Sequence, residues 1–123
     1  MKEKRDSSDY LRDVLDAIDK IARFTRGMGF DQFASDEKTQ FAVVRAMEIV
    51  GEASKQIPRA ARSRHTEVPW TKMAGMRDKL IHGYFGVDLE IVWETATQLI
   101  PTLKPLLTKA LEGEIRRKGD KSR

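Results

Sequence analysis

LEIVWETATQLIPTLKPLLTKA, residues 89–110, decides the fold class. Its apolar side chains Leu89, Val92, Trp93, Ala96, Leu99, Leu103, Leu106 and Ala110 recur mostly at intervals of three and four. That spacing lines one face of an α-helix, whereas a half-buried strand would alternate. Asp88 stands just ahead as a helix cap, and Gly83 and Gly86 break the chain before it. Pro101 and Pro105 fall inside the pattern. Each removes a backbone N–H and crowds the carbonyl one turn back, so the element is expected to kink or restart near Ile100.

The same period recurs upstream. From Tyr10 to about Arg26, Leu11, Val14, Leu15, Ile18, Ile21 and Ala22 form a stripe that Ser7 or Ser8 can cap and that Gly27 and Gly29 end. A loop through Phe30 and Phe33 leads to Ser35 and Asp36, caps for a second helix running to about Gln56. Phe41, Val44, Met47, Val50 and Ile57 give that helix its apolar face, and Ala46, Gly51 and Ala53 are small enough to admit a close neighbour. Arg45, Glu48 and Glu52 share its polar side. They form either a surface ion-pair ladder or a ladder from which one glutamate reaches a functional site. Pro58 and the basic segment to Pro69 connect, with at most a short helical turn, to a third helix over Trp70 to about His82. No strand pattern and no internal repeat is visible. The expectation is an all-α fold, an antiparallel bundle of four main helices over residues 1–112 with the last helix kinked by prolines, followed by a basic, frayed tail over residues 113–123.

A chain of 123 residues supports one core. Its 40% hydrophobic content is that of a folded protein, and 34% charged residues suit narrow amphipathic helices. The absence of cysteine excludes a disulfide framework and a thiolate metal site. MKEKRDSSDYLRD at the start lacks the apolar run of a signal peptide, and no stretch approaches the roughly 18 apolar residues of a membrane span. A cytoplasmic protein without membrane contact is therefore expected. The net charge of +4 and a pI near 9.5 suit a polyanionic partner. The excess sits in Arg59, Arg62, Arg64 and the tail residues Arg116, Arg117, Lys118, Lys121 and Arg123, which a solvated edge and a loose terminus explain equally well.

The chemistry concentrates in MAGMRDKLIHGYFGVD. Trp70, Met73, Leu80 and Tyr84 follow helical spacing, and Arg77 occupies a slot where that stripe calls for an apolar side chain. A guanidinium there needs a carboxylate, with Glu48 or Glu52 within the field of choice, or else lines a site. His82, five residues on, sits roughly 140° round an ideal helix from Arg77. The two can converge if the chain leaves helical geometry near Gly83, or if they meet across two subunits. Asp78 lies one helical turn before His82 and supports imidazolium, as does the negative end of a helix dipole. Taken singly, His82 could be a helix cap and Tyr84 a core ring with its hydroxyl at the surface. His65 reads as an ordinary loop residue, and two histidines without a carboxylate cluster make a poor metal-ligand set.

Together, Arg77-Asp78-Lys79-Leu80-Ile81-His82-Gly83-Tyr84 resembles the R-x4-H-x-Y motif of the HEPN superfamily, specifically its HepT-like ribonuclease toxins. The resemblance runs from the first helix through the Arg45–Pro58 block to PWTKMAGMRDKLIHGYFGVDLEIVW, leaving only about the last dozen residues outside it. It implies a metal-independent endoribonuclease that needs no cofactor, the toxin of a type VII-like toxin–antitoxin pair, active on RNA as a homodimer. Arg77 and His82 would be catalytic and Asp78 and Tyr84 supporting. It further implies an MntA-like nucleotidyltransferase antitoxin that silences the toxin by attaching AMP to Tyr84 and could join it in a larger assembly. The competing reading is a helical partner that docks on a nucleotidyltransferase and does no chemistry.

The residue types suit such a reaction. RNA carries its own nucleophile, the 2′-hydroxyl, so cleavage needs a base, a cation at phosphorus and an acid for the leaving oxygen. An imidazole with a pKa near 6.5 transfers protons at neutral pH, and a planar guanidinium clamps phosphate. A tyrosine, with a pKa near 10, is a hydrogen-bond donor and an acceptor for an adenylyl group.

Overall fold

The computed structural model describes residues 4–76, 78, 81–82 and 86–121, of which 81, 82, 86, 120 and 121 are described by backbone alone. Helix α1 (Ser7–Thr25) starts from Asp6, one residue before the expected caps. The Asp6 carboxylate accepts the Asp9 N–H at 3.1 Å and the Asp9 carboxylate accepts the Asp6 N–H at 3.0 Å. This reciprocal pair satisfies donors that the first turn leaves without helical acceptors. Leu11, Val14, Ile18 and Ile21 are buried as the period predicts. Gly27, at a φ of 74°, turns the chain in the left-handed region that glycine enters at little cost.

A short helix, α2 (Phe30–Ala34), occupies what the sequence suggested as loop. It buries Phe33 against the Trp93 indole, with ring centroids 5.2 Å apart, and Phe30 meets the same indole edge-on at 6.4 Å. Helix α3 (Glu37–Gln56) is capped by Asp36, which accepts the Thr39 N–H at 3.0 Å and its hydroxyl at 2.7 Å. Of the expected stripe, Met47, Val50 and Ile57 are buried and Val44 packs against the core; Val43 and Ala46 widen that face, and Phe41 departs from it. Phe41, two residues from Val43 and therefore about 160° round the helix, is 71% exposed.

The connection beyond α3 contains α4 (Arg59–Arg64) and α5 (Trp70–Ala74). The Trp70 indole N–H reaches back to the carbonyls of Arg62 and His65 at 3.1 and 2.9 Å, fastening α5 to the end of α4. A Cβ on Gly51 would lie 3.3 Å from the Met73 carbonyl oxygen, so the small residue in α3 lets α5 approach. Here the structure departs from the expected third helix. Gly75 ends α5, Met76 and Asp78 are helical again, and Ile81 and His82 are extended in a strand, β1, paired antiparallel with β2 (Gly86–Val87). The register is Ile81 opposite Val87 and His82 opposite Gly86. Two residues per strand are too short to produce an alternating pattern, which is why no strand was legible.

Asp88 caps α6 (Leu89–Glu94) by accepting the Glu90 and Ile91 N–H groups at 3.1 and 3.2 Å. The chain then winds as a π-helix over Thr95–Leu99, where Ile100 N–H donates to Thr95 five residues back, before α7 (Ile100–Lys121). Pro101 directly follows the π turn, and Pro105 lies inside α7 without ending it. The wider π turn lets Val92, Ala96 and Ile100 share one buried face at steps of four; Leu103, Leu107 and Ala110 continue it at three and four. Residues 113–121, expected as part of a frayed tail, continue α7, and Glu114 is only 3% exposed.

The long helices form an all-α bundle. Lys104 pairs with Asp19 at 2.9 Å and Lys118 with Asp6 at 2.7 Å, so α1 and α7 run antiparallel. Tyr10 and Asp13 share a surface groove with Ile49, Glu52 and Gln56, which places the start of α1 at the end of α3. Among the described residues, no helix is long and apolar enough to cross a membrane.

Candidate functional site

The motif lies between α5 and α6. Of its residues, Arg77 and Tyr84 lie outside the described residues, as do Lys79, Leu80 and Gly83. His82 is placed by its backbone, paired with Gly86 across the β-ribbon. Three residues separate the paired positions in sequence, and Asp88, two residues past the ribbon's Gly86, starts α6. The ribbon therefore ties the His82 backbone to the N-terminal end of a capped helix.

This placement corrects two expectations. His82 is extended, so it is not the last residue of a helix, and neither the helix dipole nor a capping role applies to it. Asp78 is exposed and helical, but the one-turn spacing to His82 presupposed a continuous helix, which the extended Ile81 and His82 interrupt. The change from helix to ribbon is a departure from helical geometry, one of the two expected routes to convergence; Arg77 itself lies outside the described residues. On α3, Arg45 and Glu52 pair at 3.6 Å on the surface, one rung of the expected ladder. Val87 and Ile91, beside the ribbon, are 37% and 38% exposed.

Sequence reasoning missed a second polar cluster. His65, read as an ordinary loop residue, ends α4 and its Nε2 lies 2.7 Å from Glu114 Oε2. Arg64 donates to the same carboxylate through Nε at 3.0 Å and Nη2 at 2.7 Å, and the Ser7 hydroxyl donates at 2.8 Å. The Arg64 fork holds the Glu114 carboxyl at about 2, against burial, which pushes it up; His65 and Ser7 assist. An ionised carboxylate only accepts, so His65 Nε2 carries a proton in this contact. Glu114 in turn raises the Arg64 guanidinium. Next to it, the Lys118 ammonium and the Ser8 hydroxyl hold Asp6 well below the usual carboxylate range. With both oxygens of Glu114 engaged, the cluster is a clasp joining α1, α4 and α7. A signal for it existed: Glu114 stands in the next slot of the stripe Leu103, Leu107, Ala110, where an apolar residue is expected. No group of three or more metal-ligating His, Cys, Asp or Glu side chains occurs among the described residues.

A family model described as "Ribonuclease HepT-like" matches residues 14–110 and so spans Arg77, His82 and Tyr84. The chain belongs to the HepT-like ribonuclease family. Curated relatives agree with this membership. The HepT-like chain is 55% identical to "Probable ribonuclease HepT" of Thermococcus cleftensis, over 82% of this chain and 92% of that one. It is 44% identical to "Putative RNase MJ1216" of Methanocaldococcus jannaschii, over 89% and 90%. It is also 42% identical to "Putative RNase TTE0752" of Caldanaerobacter subterraneus subsp. tengcongensis, over 85% and 94%. No solved structure matches the chain.

Proposed function

We propose that this HepT-like chain is an endoribonuclease that cuts RNA without a metal, using Arg77 and His82 from each of two copies. The observation that carries the proposal is the complete R-x4-H-x-Y motif within residues matched by a ribonuclease family. One histidine cannot remove a proton and deliver another at the same instant, and two-fold pairing supplies a second imidazole and a second guanidinium. The exposed Val87 and Ile91 beside the His82 ribbon give a second copy an apolar surface to cover. In the reaction, one His82 takes the proton of the 2′-hydroxyl as its oxygen bonds to phosphorus. The bond to the 5′-oxygen breaks, and His82 of the second copy protonates that oxygen. Arg77 clamps the phosphate oxygens through its planar fork. The products are a 2′,3′-cyclic phosphate and a 5′-hydroxyl.

The wider role follows from the same motif. The chain acts as the toxin of a toxin–antitoxin pair, and an MntA-like nucleotidyltransferase silences it by attaching AMP to the Tyr84 hydroxyl. The adduct adds bulk and negative charge where the RNA backbone must pass. Asp78, exposed on the segment leading to His82, supports the site from its rim.

The test is incubation of purified protein with end-labelled unstructured RNA in excess chelator. Cleavage to fragments ending in 2′,3′-cyclic phosphate is expected, with DNA of the same sequence left intact. His82→Ala should cut at least about 100-fold more slowly, the lower range for loss of a general acid–base group. Cutting that requires an added divalent ion, or wild-type cutting by His82→Ala, overturns the mechanism. A wild-type protein that cuts nothing at any ratio favours the non-catalytic partner.

A further inference from the structure

The groove between α4 and α5 has about 810 Å³ of space and an unusual lining. Three cationic residues, Arg59, Arg62 and Lys72, border it together with Trp70 and the hydroxyl residues Ser63, Thr66 and Thr71; no carboxylate does. Among the described residues, none of the three cations has an ion-pair partner, although charged residues elsewhere on the surface are extensively paired. The Arg62 Nε is buried and has no hydrogen-bond partner among the described residues. A buried N–H of a guanidinium without an acceptor is costly, so this arginine is held at the groove without the usual compensation. Trp70 has already spent its N–H on the carbonyls of Arg62 and His65, so what it offers a ligand is π surface.

A run of unpaired cations beside an aromatic ring is the surface that single-stranded nucleic acid uses: phosphates meet the charges and a base stacks on the ring. The position agrees with this. Gly75, which lines the groove, stands two residues before Arg77 in the sequence.

We infer that this groove is a substrate subsite that holds the single-stranded RNA flanking the scissile phosphate. Arg59, Arg62 and Lys72 take phosphates and Trp70 stacks a base. Its place beside a cleavage centre rests on the ribonuclease reading; its binding of RNA does not. An acidic protein surface is the other class of anion it could face; the pairing of several cations with one flat ring matches the alternation of phosphate and base in a single strand more closely.

The decisive variant is Arg59→Glu/Lys72→Glu, since both residues are exposed and neither side chain makes a hydrogen bond or ion pair among the described residues. Arg62→Ala is a second variant, with a thermal melt to confirm folding. Each is compared with wild type on an unstructured 20-nucleotide RNA and on a dinucleotide containing only the scissile bond, across a salt series. For the double variant, KM on the long RNA should rise at least ten-fold with kcat held, while dinucleotide cleavage is unchanged. The slope of log affinity against log salt should become shallower by about 1.4, since each phosphate contact on a single strand contributes about 0.7. Unchanged KM and salt slope on the long RNA overturn the subsite, and continued cleavage leaves the nuclease standing; a groove that serves an acidic protein gives this same result. A wild-type protein that does not cut but binds RNA with the groove-dependent slope removes the nuclease and keeps the groove. Absence of both cutting and binding removes both.

Discussion

Replacing Glu114 by Gln keeps the side chain's shape and removes its charge. In the wild-type clasp the two carboxylate oxygens accept from Ser7, from both Arg64 donors and from His65. An amide offers one accepting oxygen, and its NH2 group then faces donors that it repels. The magnitude follows from the carboxyl, which the clasp holds at about 2 against an ordinary 4.5. At about 1.36 kcal/mol per pH unit this corresponds to ~3 kcal/mol of stabilisation at neutral pH. For a domain of this size, loss of that amount lowers Tm by roughly 10–15 °C. Because the folded carboxyl is depressed, its contribution is complete above about pH 4.5 and disappears as pH falls through about 2. Urea unfolding of both proteins between pH 7 and pH 2 reads this directly. The gap between wild type and Glu114→Gln should be widest at pH 7, begin to narrow below about pH 4.5 and close toward pH 2. A gap under about 0.5 kcal/mol at pH 7, or one independent of pH, refutes the clasp as a stabilising device.

Three further outcomes are expected. Gly113→Ala would place a Cβ 2.9 Å from His65 Cε1, displacing the ring from Glu114. The loss of a charge-assisted bond, about 1.5–3 kcal/mol, outweighs the roughly 1 kcal/mol that alanine gains over glycine in a helix, so urea unfolding should show a net destabilisation. Arg77→Lys should reduce RNA cleavage at least about ten-fold, since a point charge does not reproduce the fork; cleavage at the wild-type rate removes the clamp role. Tyr84→Phe should stay active after incubation with ATP and the cognate nucleotidyltransferase, and a mass spectrum locating the adenylyl group on another residue would remove the assignment.

The bundle was legible wherever burial is one-sided and local. The stripe of α1 and the Asp36 cap of α3 follow from spacing alone, because each helix presents one face to the core. On α3 the spacing also identifies the buried Met47, Val50 and Ile57, and Phe41 is the residue it misplaces. Phe41 is large and apolar yet exposed, and hydrophobicity by itself does not distinguish a core position from a surface one. The segment after Gly75 was read as helix because Trp70, Met73 and Leu80 fit the period, while the opposing evidence was a ladder of two residues per strand, stabilised by pairing rather than pattern. The motif itself was visible as residue types, but not its backbone. The clasp joins Arg64 and His65 to a glutamate about fifty residues away, and no local rule connects them.

The π-helical turn at Thr95–Leu99 makes the clasp vulnerable at a distance. An ordinary α turn there would advance the downstream chain by about one residue's rotation, roughly 100°. Glu114 would then swing away from its guanidinium and imidazole partners although none of the three had been altered. The loose coil thus acts like the spacing tooth in a pair of gears: it transmits no force of its own, yet it sets which teeth mesh at the far end.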